Sequence, residues 1–194
     1  MRNALLVIDV QNDFVEGGSL AVKGGREVAG MVSRHLRHFK GEYQFVAATR
    51  DYHEDPGDHF SDHPDFQSTW PPHCVAGTPG AGFCPPIQNL VREKLIQTVV
   101  TKGQHAAAYS GFEGVDARGH LLLDVLKENR VDHIDICGLA TDYCVRATAL
   151  DARKAEFQVR ILLNLCAPVS PETGQQALEE MKAAGCQIQA ATAP

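Results

Sequence analysis

The segment ALLVIDV, residues 4–10, is an apolar run interrupted only by Asp9. A continuous apolar run of this length, rich in branched side chains, is typical of a strand that is buried on both faces. Strands of that kind occur in parallel sheets that helices cover on both sides. The segment therefore predicts an α/β fold, with Asp9 at the carboxyl end of its first strand.

Strand and helix patterns alternate along the rest of the chain. Apolar residues recur at helical spacing in four segments: 25–39, 120–130, 141–155 and 171–185. Short apolar runs predict further strands at 44–49, 95–101, 133–139, 158–164 and 186–191. This alternation predicts a three-layer α/β/α sandwich around a central, mainly parallel sheet of about six strands.

Composition narrows the class of protein. The chain has 194 residues, 44% of them hydrophobic, which suits one domain spanning residues 1–194. The net charge of −6 argues against a nucleic-acid partner. The run from Ala4 to Ile8 is too short for a signal peptide or a membrane span, so the six cysteines are expected to be free thiols. We expect a cytoplasmic protein without a membrane partner, as a monomer or a small homo-oligomer.

The segment 50–87 departs from the alternation. It is rich in proline and histidine and shows little periodicity, and it begins within TRDYHEDPGDHF, residues 49–60. Long segments without regular structure are uncommon in compact domains unless they are functional or are held by something such as a metal. We therefore interpret 50–87 as a metal-binding loop segment.

Four polar residues are predicted at the carboxyl ends of strands. Asp9 ends the first strand, Asp51 lies just past the second, Lys102 lies just past the third, and Cys144 follows the fourth at the start of a helix. Ligands of open parallel sheets bind beyond these ends, near the point where the strand order reverses. The four side chains are therefore expected to meet at one edge of the sheet.

Cys144 is the candidate nucleophile. Its position in the first turn of a helix and a neighbouring Lys102 ammonium both predict a lowered thiol pKa, and Asp9 could accept the proton. Each residue alone has a simpler explanation: a buried free cysteine, a turn-capping aspartate or an exposed lysine. Their joint placement favours catalysis.

Asp51, His53, His59 and His73 form a set of oxygen and nitrogen donors suited to a divalent transition metal ion. The alternative is a solvated loop, because histidines are common in polar surface segments. The rigid, apolar context of Trp70-Pro71-Pro72 around His73 favours the metal site. His63 and Cys74 are rival ligands.

Several motifs, taken in order, resemble one known family. They are VIDVQNDF (7–14), GGSLAV (17–22), DYHEDPGDHF (51–60), SxWPPHCVxGTPGA (68–81), TKG (101–103), AYSGFEGVD (108–116) and GLATDYCVRATALDA (138–152). Together they are similar to the bacterial nicotinamidases, also called pyrazinamidases, within the isochorismatase-like cysteine hydrolases. The resemblance extends from Met1 to the helix near Met181, which is nearly the whole chain.

The resemblance implies a metal-dependent amidohydrolase of the isochorismatase-like fold. Such an enzyme converts nicotinamide to nicotinate and ammonia in NAD salvage, through a cysteine thioester, and also hydrolyses pyrazinamide. The matching positions divide into three groups: a catalytic triad of Asp9, Lys102 and Cys144, metal ligands at Asp51, His53, His59 and His73, and substrate contacts at Phe14, Trp70, Tyr109 and Ala140. The metal is zinc, iron or manganese. Leu139-Ala140 matches a dipeptide with a cis peptide bond, and the backbone of Ala140 and Cys144 would form the oxyanion hole.

Two positions depart from the family pattern, namely the additional His63 and Tyr143 before the nucleophile.

Three other functions are weighed against nicotinamide hydrolysis. Vinyl-ether hydrolysis on the same fold does not use the cysteine, and N-carbamoyl amidases lack the metal loop. A metal-binding module without catalysis would leave Asp9, Lys102 and Cys144 unexplained.

Overall fold

The structure, a computed structural model, describes residues 2–192. Its centre is a six-stranded sheet in the order β3-β2-β1-β4-β5-β6, and every neighbouring pair of strands is parallel. The strands are β1 Asn3–Ile8, β2 Phe45–Asp51, β3 Thr98–Lys102, β4 His133–Leu139, β5 Gln158–Ala167 and β6 Gln187–Gln189. The predicted fold class is therefore confirmed. Residues 1, 193 and 194 of the predicted domain lie outside the described residues.

Within residues 2–192, five α-helices connect the strands: α1 Gly25–Phe39, α2 Pro85–Arg92, α3 Leu122–Glu128, α4 Arg146–Lys154 and α5 Pro171–Ala183. The bounds of α1 and β4 agree with the predicted ones. Helix α2 was not predicted, because Pro85 and Pro86 resemble a loop. Both prolines lie in the first turn of α2, where a missing backbone N–H removes no helical hydrogen bond.

The side chains of β1 alternate between two cores. Leu5 and Val7 pack with α1 and α2 on one face of the sheet, whereas Leu6 and Ile8 pack with α3, α4 and α5 on the other. Residues 4–8 are completely buried. Successive side chains of a strand point to opposite faces of the sheet, and here helices cover both faces. Every position of β1 that faces a core is therefore apolar, which produces the continuous apolar run of the sequence. None of the helices within residues 2–192 has the length and apolarity needed to span a membrane.

The strand order reverses between β1 and β4. Gly138 of β4 has φ +119°, and a Cβ atom there would lie 2.2 Å from the Ile8 carbonyl oxygen. Only glycine permits this close approach of the two backbones. The crevice at this switch point opens at the carboxyl ends of the strands.

Most of the segment between β2 and α2 lacks regular structure. It folds back on itself through single bridges between His53 and Val75 and between Phe60 and Trp70. The predicted loop 50–87 overlaps β2 at its start and α2 at its end. Asp51 and Lys102 are accordingly the last residues of β2 and β3 and do not lie past them.

Candidate active site

Lys102 is the centre of a buried polar cluster. Its Nζ lies 2.9 Å from Asp9 Oδ2, pairs with Asp51 Oδ1, and lies 3.7 Å from Cys144 Sγ. The carbonyl oxygen of Ala108 accepts a further hydrogen bond from Nζ at 3.3 Å. Lys102 is 1% exposed, so its charge is balanced by protein groups and not by water. The structure thus brings the predicted triad together.

Asp9 follows the last residue of β1 and has a left-handed backbone conformation, with φ +47°. This conformation turns the chain out of the sheet at the switch point. The hydroxyl of Thr49 donates a hydrogen bond of 2.6 Å to Asp9 Oδ1, while Oδ2 faces Lys102. Each carboxylate oxygen of Asp9 therefore has a separate partner.

Cys144 lies in a widened helical turn, Thr141–Val145, that leads into α4. The N–H of Val145 bonds to the Ala140 carbonyl five residues earlier, at 3.2 Å. Turns of this π type recur at functional sites. The sequence predicted an ordinary first helical turn, which the structure corrects. The peptide bond between Leu139 and Ala140, directly before this turn, is cis.

Lys102 lowers the pKa of the Cys144 thiol as predicted, but the predicted net lowering is wrong. Complete burial raises the pKa of the thiol well above its ordinary value; Lys102 lowers it, but the carboxylates of Asp9 and Asp51 raise it further. Burial likewise raises the pKa of Asp9. Burial opposes the charge on Lys102, yet the two carboxylates outweigh it and hold the lysine pKa well above its usual value. The resting site therefore contains a thiol beside a lysine ammonium.

Three buried histidines form a cluster suited to a metal. One ring nitrogen from each of His53, His59 and His73 lies within 4.8 Å of the others. Asp51 Oδ2 lies 3.7 Å from His53 Nε2. The Nε2 of His53 and the Nδ1 of His59 are buried without a hydrogen-bond partner among the described residues. Unpartnered buried imidazole nitrogens beside a carboxylate fit a transition metal ion.

Backbone carbonyls hold two of these rings. Assigned as donors, the Nδ1–H groups of His53 and His73 bond to the carbonyls of Gly103 at 2.6 Å and Pro71 at 2.8 Å. This tautomer leaves each Nε2 available to a metal. Gly103 has φ +77°, and a Cβ there would lie 2.7 Å from the His53 ring. Burial, with His53 and His73 adding to it, lowers the pKa of His59 to about 4, so its ring is neutral at pH 7.

The two rival ligands lie outside this cluster. His63 is exposed to solvent. Cys74 is buried, and burial raises its pKa well above the ordinary value. Neither belongs to the group of converging ring nitrogens.

A cavity lined mainly by apolar and aromatic side chains connects the polar cluster with the histidines. All four predicted substrate contacts line it, together with Leu20, Val22, Asp51, His59, His73, Ala108, Leu139, Tyr143, Cys144 and Val169. Trp70 donates a hydrogen bond of 3.0 Å to the Tyr109 hydroxyl and meets the Tyr143 ring edge-on at 5.1 Å.

Sequence reasoning missed several groups of the site. Thr49 is detectable as the one hydroxyl residue of β2, although its contact with Asp9 is not. Val169 reaches the cavity because Asp142, two residues before Cys144, accepts a hydrogen bond of 2.9 Å from its backbone N–H. Nothing in the sequence around Val169 indicates a role in ligand binding.

A parallel sheet with a buried cysteine, lysine and aspartate beside a cavity at the carboxyl ends of its strands has the layout of an α/β hydrolase. The chain belongs to the isochorismatase family, since the Isochorismatase domain matches residues 3–193. This confirms the resemblance inferred from the sequence motifs.

Individual relatives agree with this family. The chain is 50% identical over 185 residues to the nicotinamidase/pyrazinamidase of Mycobacterium tuberculosis, covering 95% of this chain and 97% of that protein. Among solved structures, it is similar to the pyrazinamidase of Pyrococcus horikoshii in complex with zinc, with 39% identity, a TM-score of 0.80, and coverage of 98% and 100%. It is also similar to the yeast nicotinamidase bound to the inhibitor nicotinaldehyde, with 28% identity, a TM-score of 0.85, and coverage of 97% and 100%.

Proposed function

We propose that this chain is a metal-dependent cysteine amidohydrolase that converts nicotinamide to nicotinate and ammonia, and that it also hydrolyses pyrazinamide. One observation carries the proposal: the same cavity is lined by Cys144, which contacts the buried Lys102, by His59 and His73 of the histidine cluster, and by aromatic side chains. The activities named for the family relatives are consistent with it.

The first half of the reaction transfers the acyl group to Cys144. Oxygens of Asp9 and Asp51 lie within 4.8 Å of Cys144 Sγ and of each other. Asp9 accepts the thiol proton as Sγ attacks the amide carbon. When the carbon–nitrogen bond breaks, Asp9 delivers that proton to the departing nitrogen. Ammonia leaves, and the pyridine acyl group remains as a thioester on Cys144.

The second half releases the acid. Asp9 takes a proton from a water molecule, whose oxygen attacks the thioester carbon. The Cys144 sulfur departs and recovers a proton from Asp9, which restores the resting site. In both halves the N–H groups of Ala140 and Cys144 stabilise the developing oxyanion, a contribution of roughly 3 kcal/mol per donor in characterised enzymes.

Lys102 stabilises the charges that appear during turnover. Because the Cys144 thiol is protonated at rest, the thiolate exists only while Asp9 holds the proton. The ammonium 3.7 Å from Sγ stabilises that thiolate. The same ammonium keeps Asp9 close to Sγ through the 2.9 Å ion pair.

The residues that would hold the metal are Asp51, His53, His59 and His73. A divalent ion held by these residues would supply a Lewis acid for the ring nitrogen of the substrate, which is an orienting role. Zn²⁺, Fe²⁺ and Mn²⁺ are each compatible with one carboxylate and three imidazoles. Trp70 and Phe14 contribute apolar walls for the ring.

The metabolic role, the location and the oligomeric state of the protein stay predictions. Nicotinate is the product that NAD salvage consumes, and the chain is expected in the cytoplasm as a monomer or a small homo-oligomer. All six cysteines are free thiols, which is consistent with a reducing compartment.

Ammonia release from nicotinamide tests the proposal. The wild-type protein loaded with Zn²⁺ should release ammonia, and Cys144→Ala should release none while still binding nicotinamide in calorimetry. Cys186→Ala removes another buried cysteine that does not line the cavity, so it should retain activity. Mass spectrometry of rapidly acidified reactions should detect a nicotinoyl adduct on Cys144. Turnover by Cys144→Ala would refute the covalent mechanism, and an inactive wild type would refute the proposed substrate.

A further inference from the structure

The segment Gln11–Asp13, between β1 and α1, touches the metal loop at several points, although no step of the reaction uses it. Gln11 binds the backbone of Asp51, and Asp13 binds the backbone of Cys74, the residue after His73. Asp51 and His73 are the first and last proposed ligands along the chain. We propose that Gln11 and Asp13 are positioning residues that fix these two ends of the metal site, an inference that rests on the proposed function.

The side chain of Gln11 replaces a missing piece of strand. Strand β1 ends at Ile8, and the chain turns away at Asp9, while β2 continues to Asp51. In β2, Thr49 still faces β1, because its carbonyl accepts a hydrogen bond of 3.2 Å from the Asp9 N–H. Asp51, two residues further on, faces the same side but has no β1 residue opposite it.

The Gln11 amide fills that position. Its Oε1 accepts a hydrogen bond of 2.8 Å from the Asp51 N–H, and its Nε2 donates one of 2.7 Å to the Asp51 carbonyl. Nε2 also donates a hydrogen bond of 2.9 Å to the carbonyl of Ala81. A primary amide has the donor and acceptor of a peptide group, so Gln11 satisfies the backbone of Asp51 beyond the end of β1. Gln11 is completely buried, so water cannot replace these bonds.

The consequence lies in the carboxylate of Asp51. That carboxylate pairs with Lys102 and lies 3.7 Å from His53 Nε2, so it joins the catalytic cluster to the histidines. Because both the N–H and the C=O of Asp51 are held by hydrogen bonds, its carboxylate can move only by rotation of the side chain. Gln11 therefore sets where the oxygen donor is placed.

Asp13 acts at the other end of the site. Its Oδ2 accepts a hydrogen bond of 2.7 Å from the N–H of Cys74, whose φ is +47°. The carbonyl of Cys74 in turn accepts a hydrogen bond of 2.9 Å from the His53 N–H, so Cys74, which directly follows His73, also bonds to His53. The Asp13 carboxylate packs against Gly80, where a Cβ atom would lie 2.1 Å from Oδ2.

Asn12 provides a matched control. Its side chain donates a hydrogen bond of 2.8 Å to the carbonyl of Pro79, which lies beyond the last ligand. Its loss removes a bond between the same two segments without touching Asp51 or His73. If the three side chains merely hold the loop against this segment, substitutions at all three positions should weaken Zn²⁺ binding equally. If Gln11 and Asp13 position the ligands, only substitutions at these two positions should weaken it.

The test measures Zn²⁺ affinity by competition with a chromophoric chelator, which needs no catalysis. Gln11→Met, which keeps the length of the side chain, and Asp13→Ala should bind Zn²⁺ about 10- to 100-fold more weakly than the wild type. Asp13→Asn keeps an acceptor oxygen and should recover most of the affinity. Asn12→Ala should bind as the wild type does. Thermal unfolding of the metal-free variants identifies any that fail to fold.

Wild-type affinity in both Gln11→Met and Asp13→Ala would overturn the proposal, as would an equal loss in Asn12→Ala. If Gln11→Met does not fold, the comparison of Asp13→Ala with Asp13→Asn decides, because recovery by asparagine supports positioning and no recovery contradicts it. Failure of the proposed function would give a different result: the wild-type protein would bind Zn²⁺ but would leave nicotinamide intact. The affinity comparisons stay interpretable in that case.

Discussion

Removing the charge of Lys102 should destabilise the folded protein strongly. Lys102→Met keeps an apolar side chain of similar length in a position that is 1% exposed, and it removes only the ammonium. Two carboxylates, Asp9 and Asp51, then lose their shared cation, although both are buried. A buried ion whose partner has been deleted is far more costly than one removed together with its partner.

The magnitude follows from the geometry. At the 2.9 Å separation of Lys102 Nζ and Asp9 Oδ2, the attraction is about 6 kcal/mol with an effective dielectric constant of about 20. Relief of the buried lysine charge offsets part of this loss. We therefore expect the free energy of unfolding to fall by about 3–5 kcal/mol near neutral pH, as for other broken buried pairs.

The loss should depend on pH. Burial raises the pKa of Asp9, and Lys102 is the main group that lowers it. For Asp51, Lys102 and then His53 outweigh burial and keep the pKa below its usual value. Without Lys102 both carboxyl pKa values rise in the folded state. A carboxyl group whose pKa is higher in the folded than in the unfolded protein contributes stability at pH values below its unfolded-state pKa. This contribution is lost as the pH rises through its folded-state pKa. The variant should therefore be closest to the wild type in acid.

Urea unfolding, followed by circular dichroism on metal-free protein at about pH 5 and about pH 8, measures both effects. Lys154→Ala is the control, since Lys154 pairs with Asp151 at the surface and its loss should change stability by less than about 1 kcal/mol. A Lys102→Met protein within 1 kcal/mol of the wild type at about pH 8 would refute the reasoning. So would a destabilisation that is larger in acid.

Two further substitutions test the other parts of the site. Asp9→Asn should lower kcat for nicotinamide by about 10²- to 10⁴-fold, because an amide cannot accept the thiol proton or return it to ammonia; Asp124→Asn, at an exposed helix position, should leave kcat unchanged, and a normal kcat in Asp9→Asn would exclude that role. His53→Ala should lose bound Zn²⁺ in elemental analysis and lose activity, while its circular dichroism stays that of a folded protein. His63→Ala, an exposed histidine of the same loop, should keep both, and stoichiometric metal in His53→Ala would contradict the assigned ligand set.

The sequence by itself determined the layers of the fold. Apolar runs such as ALLVIDV report burial on both faces, and that burial occurs only in a sheet covered twice by helices. The same reasoning located the ends of strands, and hence the meeting of Asp9, Lys102 and Cys144. It failed at α2, because prolines that end most helical patterns are tolerated in a first turn.

Tertiary structure alone decided the electrostatics. The protonation of Cys144 depends on how completely it is buried and on the distances to Asp9 and Asp51, neither of which appears in the spacing of residues. The bonds from Gln11 to Asp51 were equally invisible, because they join residues 40 positions apart through a strand end that no local pattern specifies. Local sequence encodes periodicity and burial, whereas charge states and long-range hydrogen bonds depend on which distant groups the completed fold places in contact.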